Sequence, residues 1–392
     1  MAGTIRKRTW TTRKGEEEAA WVADYFDQHG KRHRKQFTTK RSADAWLTRT
    51  KTEVKDGIHT PDAESVTVAE AAELWLSRRK TRLLERGSLR TYCGYVTHIL
   101  PLLGRMKLSR LTTPVVEAFA DTLVKNLSWQ RAGKVLSALK MILNHAQRRG
   151  LVAQNVALPV RMEENERGER PLAVGIDVPT IAEMRTLLET ATGANRVRLM
   201  VAAFTGLRGS ELRALSWSDV DFERRLLTIR QRADWWGVIG RPKSRNGYRD
   251  VPLIPRLVTA LKEWRLACPR PKEGEPDLVF PGRQGKVLAH TTLQAAFDDI
   301  QRAAGILAPG LEAKDAGGCQ AMKPKYHLHA LRHFFASWEI AQHSPPKRLQ
   351  QLMGHGSIKM TYDTYGHWLA DVEDDHVRFA AGEVAVFGRS PE

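Results

Sequence analysis

His329, Arg332 and His333 stand within one five-residue stretch, Gly354-His355 follows, and Tyr365 comes ten residues after that second histidine. Imidazoles, a guanidinium and a phenol are the groups that hold a phosphodiester and attack it with an oxygen nucleophile. Three positions separate His329 from Arg332, so on a helix they share a face. A second cluster lies upstream in Phe204–Leu212 (FTGLRGSEL), where Arg208 sits between Gly206 and Gly209 and is followed by Glu211.

Each residue type carries its own chemistry. A phenol has a reference pKa near 10, so a nucleophilic tyrosine needs clustered cations to favour its phenolate. Tyr365, Tyr362 and Tyr326 all compete for that role, and a lone tyrosine is more often a core or surface side chain. Guanidinium forks match phosphate oxygens and stay charged, which makes Arg208 and Arg332 candidate clamps for the charge of a phosphoryl transition state. Histidine suits hydrogen bonding or proton handling beside a phosphate. No GxxxxGK[ST] phosphate loop and no obvious carboxylate cluster for catalytic Mg²⁺ is seen, so neither nucleotide nor metal cofactor is expected.

Taken in order, T-G-L-R-x-x-E-L, H-x-L-R-H and M-G-H with a tyrosine ten residues on resemble the tyrosine recombinase (phage integrase) family. The likeness is strongest over 180–390. It implies six catalytic positions: Arg208, Lys243, His329, Arg332, His355 and the nucleophile Tyr365. Lys243 is implied as general acid, on a hairpin turned at Asn246-Gly247. Arg241 and Arg245 beside it are poor proton donors. Glu211 is expected to anchor the Arg208 turn, and His333 and His367 to pack behind the site. Met353 stands where the family usually has Leu, a volume-conserving exchange. The implied reaction is DNA cleavage through a 3′-phosphotyrosyl link with release of a 5′-hydroxyl. The implied partners are double-stranded DNA at core and arm attachment sites, a homotetramer on DNA, and a host bending protein or excision factor. A type IB-like topoisomerase and a non-catalytic DNA-binding regulator are the rival readings.

Composition agrees with a polyanionic partner. The 392 residues contain 62 Lys+Arg against 44 Asp+Glu, a net charge of +18. Cys93, Cys268 and Cys319 show no CxxC spacing, which argues against a disulfide framework or zinc site. No apolar run reaches membrane-spanning length, and the basic N-terminus lacks an apolar segment, so neither a membrane span nor a signal peptide is expected. The resemblance implies a cytoplasmic, nucleoid-associated protein of a bacterial host.

The elements that must position these residues define a multidomain α+β chain. Residues 1–60 predict a small β-sheet-plus-helix module: Arg6–Thr11, Ala20–Asp27 and Lys31–Phe37 as strands, a turn at Gln28-His29-Gly30, then Ala43, Trp46, Leu47, Thr50 and Val54 at helical spacing. Its basic clusters (Arg6, Lys7, Arg8, Arg13, Lys14, and KRHRK at 31–35) suggest a DNA-contacting sheet, an arm-type module in the resembled family. Residues 61–155 predict four helices, opened by the capping box Thr67–Glu70, by Ser88, by Thr113-Pro114 and by Ser128. Val115, Ala118 and Phe119 are expected inward on the third. Arg78, Arg79, Lys80, Arg82, Arg90, Lys134 and Lys140 are expected outward, and in the resembled family this is the core-binding domain. Residues 156–178 read as a linker. Residues 179–392 predict a mixed, mainly helical catalytic domain with a small antiparallel sheet, strands at 226–231 and 247–253, and a patternless loop at 305–324.

Overall fold

A computed structural model describes residues 3–369 apart from 13–15, 28–29, 58, 60, 63–64, 82–84, 163–169 and 315–319. The chain divides into two compact units, 1–168 and 169–392. The division falls inside the expected linker, but the ends of that segment are packed: Ala157 and Val160 belong to the core of the first unit and Val178 to that of the second.

The first unit begins with a three-stranded antiparallel sheet, β1 (Thr4–Thr11), β2 (Glu17–Phe26) and β3 (Arg32–Phe37), in the order β1-β2-β3. Ala23 and Tyr25 of β2 lie against Leu47 and Val54 of helix α1 (Lys40–Lys55), which Thr39 caps through Ser42 N. Part of the expected basic face is neutralised locally. Asp24 is buried and receives Arg6, Arg32 and Arg34, at 3.4, 3.2 and 2.9 Å. Arg13, Lys14, Gln28 and His29 lie outside the described residues.

Four helices follow: α2 (Val68–Thr81), α3 (Arg86–Leu103), α4 (Thr113–Asn126) and α5 (Trp129–Arg148). The capping box is present, with Thr67 N donating to Glu70 Oε2 at 2.7 Å and Glu70 N to Thr67 Oγ1 at 3.2 Å. Ser88 does not cap: α3 starts two residues earlier, after Glu85. On α4 Val116, Phe119, Ala120 and Leu123 are buried and Val115 packs partly buried against the same core, whereas Ala118 is exposed; the cap position is Thr112 rather than Thr113. Two of the expected outward cations are engaged: Arg79 lies over the Trp75 and Tyr92 rings, and Lys140 donates to Val160 O at 2.6 Å. Arg82 lies outside the described residues. Asp62 binds Lys35, Ser109 and Arg110.

The second unit starts with α6 (Ile181–Thr190), held by the Thr180–Glu183 capping box, and α7 (Gly193–Thr205). A single turn, α8 (Gly209–Leu212), carries the chain into β4 (Val220–Asp221), β5 (Leu226–Ile229), β6 (Arg232–Ala233), β7 (Ile239–Gly240) and β8 (Arg249–Pro252). The small sheet has the order β4-β5-β8, and β6 pairs with β7. The expected strands at 226 and 247 therefore pair, Leu226 opposite Pro252 and Ile229 opposite Arg249. The turn between them is not at Asn246-Gly247. That pair lies in a 3-10 turn (Arg245–Gly247), and the hairpin turn is at Asp234–Gly237, closed by Asp234 N to Val238 O at 2.9 Å. An aspartate accepting from the backbone N–H groups of Trp236 and Val238 stabilises this turn locally.

Helices α9 (Pro255–Ala267) and α10 (His290–Ala303) cover the core. The segment expected as a loop is instead a hairpin, β9 (Leu307–Lys314) and β10 (Gln320–Pro324), with a register shift between Gln320 and Met322. Prolines, glycines and the shift break the period-two pattern that marks a strand. Three helices are the last elements among the described residues: α11 (His329–Ala341), α12 (Pro346–Met353) and α13 (Ile358–Leu369). Among the described residues, no helix is long and apolar enough to cross a membrane.

Candidate active site

The two sequence clusters meet because two helices end in left-handed glycines. Gly206 ends α7 at φ +60°, and Gly354 ends α12 at φ +61°. Neither tolerates a side chain: an added Cβ would lie 2.4 Å from the Phe335 ring at Gly206 and 2.7 Å from Asn246 O at Gly354. The carbonyls freed at these ends are claimed by the candidate clamp residues. Arg332, buried on α11, donates to Gly206 O at 2.5 Å and to Met353 O. Arg208 donates to Gly354 O at 3.2 Å and to Glu211 Oε1 at 2.9 Å, and its side chain keeps 37% exposure. Burial, then Arg208 and Arg249, pull the Arg332 pKa down to about 9, which leaves it charged at neutral pH.

Glu211 anchors this corner. Burial alone would raise its pKa, but hydrogen bonds and charge from Arg249, then Arg208, hold it at about 2. Arg249 is the site residue that motif reading overlooked. It donates to Glu211 Oε2 at 2.8 Å and to Leu352 O at 2.7 Å. A signal existed in the sequence: Arg249 and Val251 share one face of a strand whose Val251 is core, so a buried arginine there requires a buried acid.

His355 is buried, and its Nδ1 lies 2.9 Å from Thr361 Oγ1. Its carbonyl accepts from Asn246 Nδ2 at 2.8 Å. Burial first, then Arg332 and Arg208, lower its pKa to about 4. His329 opens α11 and is exposed, with its pKa lowered by partial loss of hydration and by Arg332 and Arg208. Its position at a helix N-terminus disfavours the imidazolium in the same sense.

Tyr365 on α13 is 1% exposed. Its ring stacks on His355, with centroids 6.2 Å apart and planes 9° apart, and on Trp368 at 5.6 Å and 21°. Burial pushes its pKa up to about 12 against the pull of Arg332 and Arg208. The rival phenols are elsewhere. Tyr362 is 49% exposed, and Tyr326 donates to Glu183 Oε2 at 2.8 Å, with burial and that carboxylate raising its pKa. His333, expected to pack behind the site, has Nδ1 2.8 Å from the Tyr365 hydroxyl. His333 lies one turn on from His329 and shares its face. His367 is exposed and bonds Leu172 O at 2.8 Å, outside the cluster.

Lys243 is exposed, on the segment between β7 and the 3-10 turn. Asn246, three residues on, fastens that segment to His355. Thus Arg208, His329, Arg332, His355 and Tyr365 are gathered by contact or shared electrostatics, and Lys243 stands on the loop tied to them.

An α+β domain that brings two arginines, histidines and a buried tyrosine to one corner is that of a tyrosine recombinase. Residues 180–371 match the Phage integrase family, and this region of the chain belongs to it. A tyrosine recombinase XerC-like protein of Caldanaerobacter subterraneus is 24% identical over 369 residues, 87% of this chain and 90% of the relative. Prophage integrase IntR of Escherichia coli is 28% identical over 202 residues, 50% of this chain and 48% of the relative. The fold is that of the Tn1549 transposon integrase in complex with transposon right end DNA, with a TM-score of 0.64 at 20% identity over 80% of this chain and 98% of that one. A lambda integrase dimer bound to a core site gives a TM-score of 0.59 at 18% identity, over 93% of this chain and 94% of that one. The protein is a site-specific recombinase.

Proposed function

We propose that the chain is the integrase of a phage or other mobile element, and that it cuts double-stranded DNA through Tyr365. Tyr365 Oη attacks a phosphodiester, forming a 3′-phosphotyrosyl bond as the bond to the 5′-oxygen breaks. Arg208 and Arg332 stabilise the charge on the non-bridging oxygens. His329 and His355 hydrogen-bond the phosphate, and Lys243 protonates the departing 5′-oxygen. A 5′-hydroxyl from a partner duplex then reverses the step, so the bond energy is conserved and no nucleotide cofactor is consumed. Assembly as a tetramer on two DNA sites is part of this reading. Lambda integrase has been captured as a tetramer on a Holliday junction.

One observation carries the proposal: of the tyrosines weighed, Tyr365 alone is stacked on His355 within the field of both arginines. The N-terminal module, residues 1–60, is proposed to grip arm-type DNA, and the helical region, 61–155, to bind the core site. The exposed cations Lys7 and Arg8 on β1 and Arg78, Lys80, Arg90 and Lys134 on the helices support contacts to phosphate.

The test is a suicide substrate that traps the covalent adduct. Tyr365→Phe should bind DNA and give no adduct, while Tyr362→Phe should retain it. An adduct mapped to Tyr362, or relaxation of supercoils without paired sites as the main activity, would overturn the assignment.

A further inference from the structure

The Tyr365 proton needs somewhere to go, and the proposed roles leave that step without an acceptor. Lys243 is assigned to the leaving oxygen. Arg208 and Arg332 are donors only. His355 faces Tyr365 with its ring plane, and its Nδ1 is taken by Thr361. His333 differs in both respects. Its Nδ1 lies 2.8 Å from the phenolic oxygen, with ring centroids 5.8 Å apart and planes at 65°. With Tyr365 protonated, its O–H donates to Nδ1 in the tautomer that leaves this nitrogen bare, which is the tautomer a base requires.

Building on the assignment of Tyr365 as nucleophile, we propose that His333 is the general base of strand cleavage, taking the Tyr365 proton on Nδ1 as the oxygen bonds to phosphorus. The Tyr365 O–H bond breaks and Nδ1–H forms. Oη–P forms, and the bond to the 5′-oxygen breaks with its electron pair leaving on that oxygen, which Lys243 protonates. In rejoining, the imidazolium returns its proton to Tyr365.

The surroundings fit a base that is neutral at rest and charged only in the act. Burial, then the neighbouring His329 and Arg332, hold the His333 pKa near 4, while Asp177 opposes them. His329 meets the His333 ring edge to face at 4.8 Å. Asp177 is fixed by Arg170, at 2.7 and 2.9 Å, and by Ala173 N at 2.9 Å. An arriving phosphodiester adds a negative charge, which raises the proton affinity of the imidazole when the tyrosine must lose its proton. Transfer concerted with Oη–P formation avoids a free phenolate, which this buried site disfavours.

The experiment compares wild type, His333→Asn, Lys243→Ala and Tyr365→Phe in single-turnover cleavage of two substrates. One has the natural 5′-oxygen and the other a bridging 5′-sulfur, whose departure needs no acid. Asparagine keeps a hydrogen-bonding group beside the hydroxyl but cannot take its proton. His333→Asn should be slower by about 10²-fold or more on both substrates, with a rate that climbs with pH as hydroxide takes over. Lys243→Ala should be restored by sulfur. If Tyr365→Phe is inert and His333→Asn cuts the sulfur substrate within about threefold of wild type with an unchanged pH profile, His333 only positions the ring and the inference fails. Adduct formation by Tyr365→Phe would instead refute the nucleophile assignment. Should His333→Asn fail to fold, added imidazole with His333→Ala decides: rescue supports the base, and a folded variant without rescue rejects it.

Discussion

Glu211 and Arg249 form a buried ion pair, Oε2 to Nη2 at 2.8 Å, in which each side chain is 4% exposed. Through it the turn that carries Arg208 is bonded to the strand whose arginine also holds Leu352 O, one residue before Met353-Gly354-His355. Removing one partner of such a pair strands a buried charge at a cost of about 3–5 kcal/mol.

Glu211→Gln is therefore expected to destabilise the catalytic unit and to lower cleavage through Arg208. The pH sign follows from the depressed carboxyl. Its stabilisation is full above the unfolded value near 4.5 and is lost as pH falls toward 2. The linkage is worth on the order of 3 kcal/mol. Denaturant unfolding of wild type and Glu211→Gln should differ most near neutrality and converge below pH 4.5. A gap independent of pH would show that the charge is not what stabilises.

Gly354→Ala should cost about 1–2 kcal/mol for its left-handed backbone, beyond the clash with Asn246 O. Because His355 is the next residue, single-turnover cleavage should fall by at least about tenfold while DNA affinity holds. A thermal midpoint and a cleavage rate equal to wild type would contradict the packed corner.

Arg208→Lys and Arg332→Lys keep charge and lose the planar fork. Each should lose about 10²-fold or more in cleavage, comparable to removing one oxyanion donor. The two should separate in stability. Arg332 is buried on two carbonyls, so its lysine variant should melt lower, whereas the partly exposed Arg208 should be nearly neutral. Because guanidinium groups carry the charge stabilisation, adduct formation on a nicked site should survive EDTA. Strict dependence on Mg²⁺ would refute the mechanism.

Deletion of residues 1–60 should leave core-site cleavage by Tyr365 and abolish protection of arm-type sequences, with loss of most intermolecular integration. The cut must spare Asp62, which binds Ser109 and Arg110 of the helical region. Each lost phosphate contact should flatten the log–log salt dependence of binding by about one. Identical footprints for full-length and truncated protein, with unimpaired recombination, would mean the module only adds nonspecific affinity.

By itself the sequence determined the elements whose signals are local. Capping boxes at Thr67 and Thr180, the Ser128 cap and the apolar periodicity of α5 and α10 all act within a turn or two of chain. The spacing of Arg208, His329, Arg332, His355 and Tyr365 carried the family and the candidate site. Tertiary structure decided what depends on contacts between distant segments. Arg249 became part of the site because β8 pairs with β5 and faces a buried acid 38 residues away. Leu307–Lys314 and Gln320–Pro324 became paired strands through cross-strand backbone bonds, although their Pro and Gly residues and a register shift erase the period-two pattern. His333 met the Tyr365 hydroxyl, 32 residues distant, because α11 and α13 pack face to face around one buried phenol, and no local rule of spacing encodes that approach.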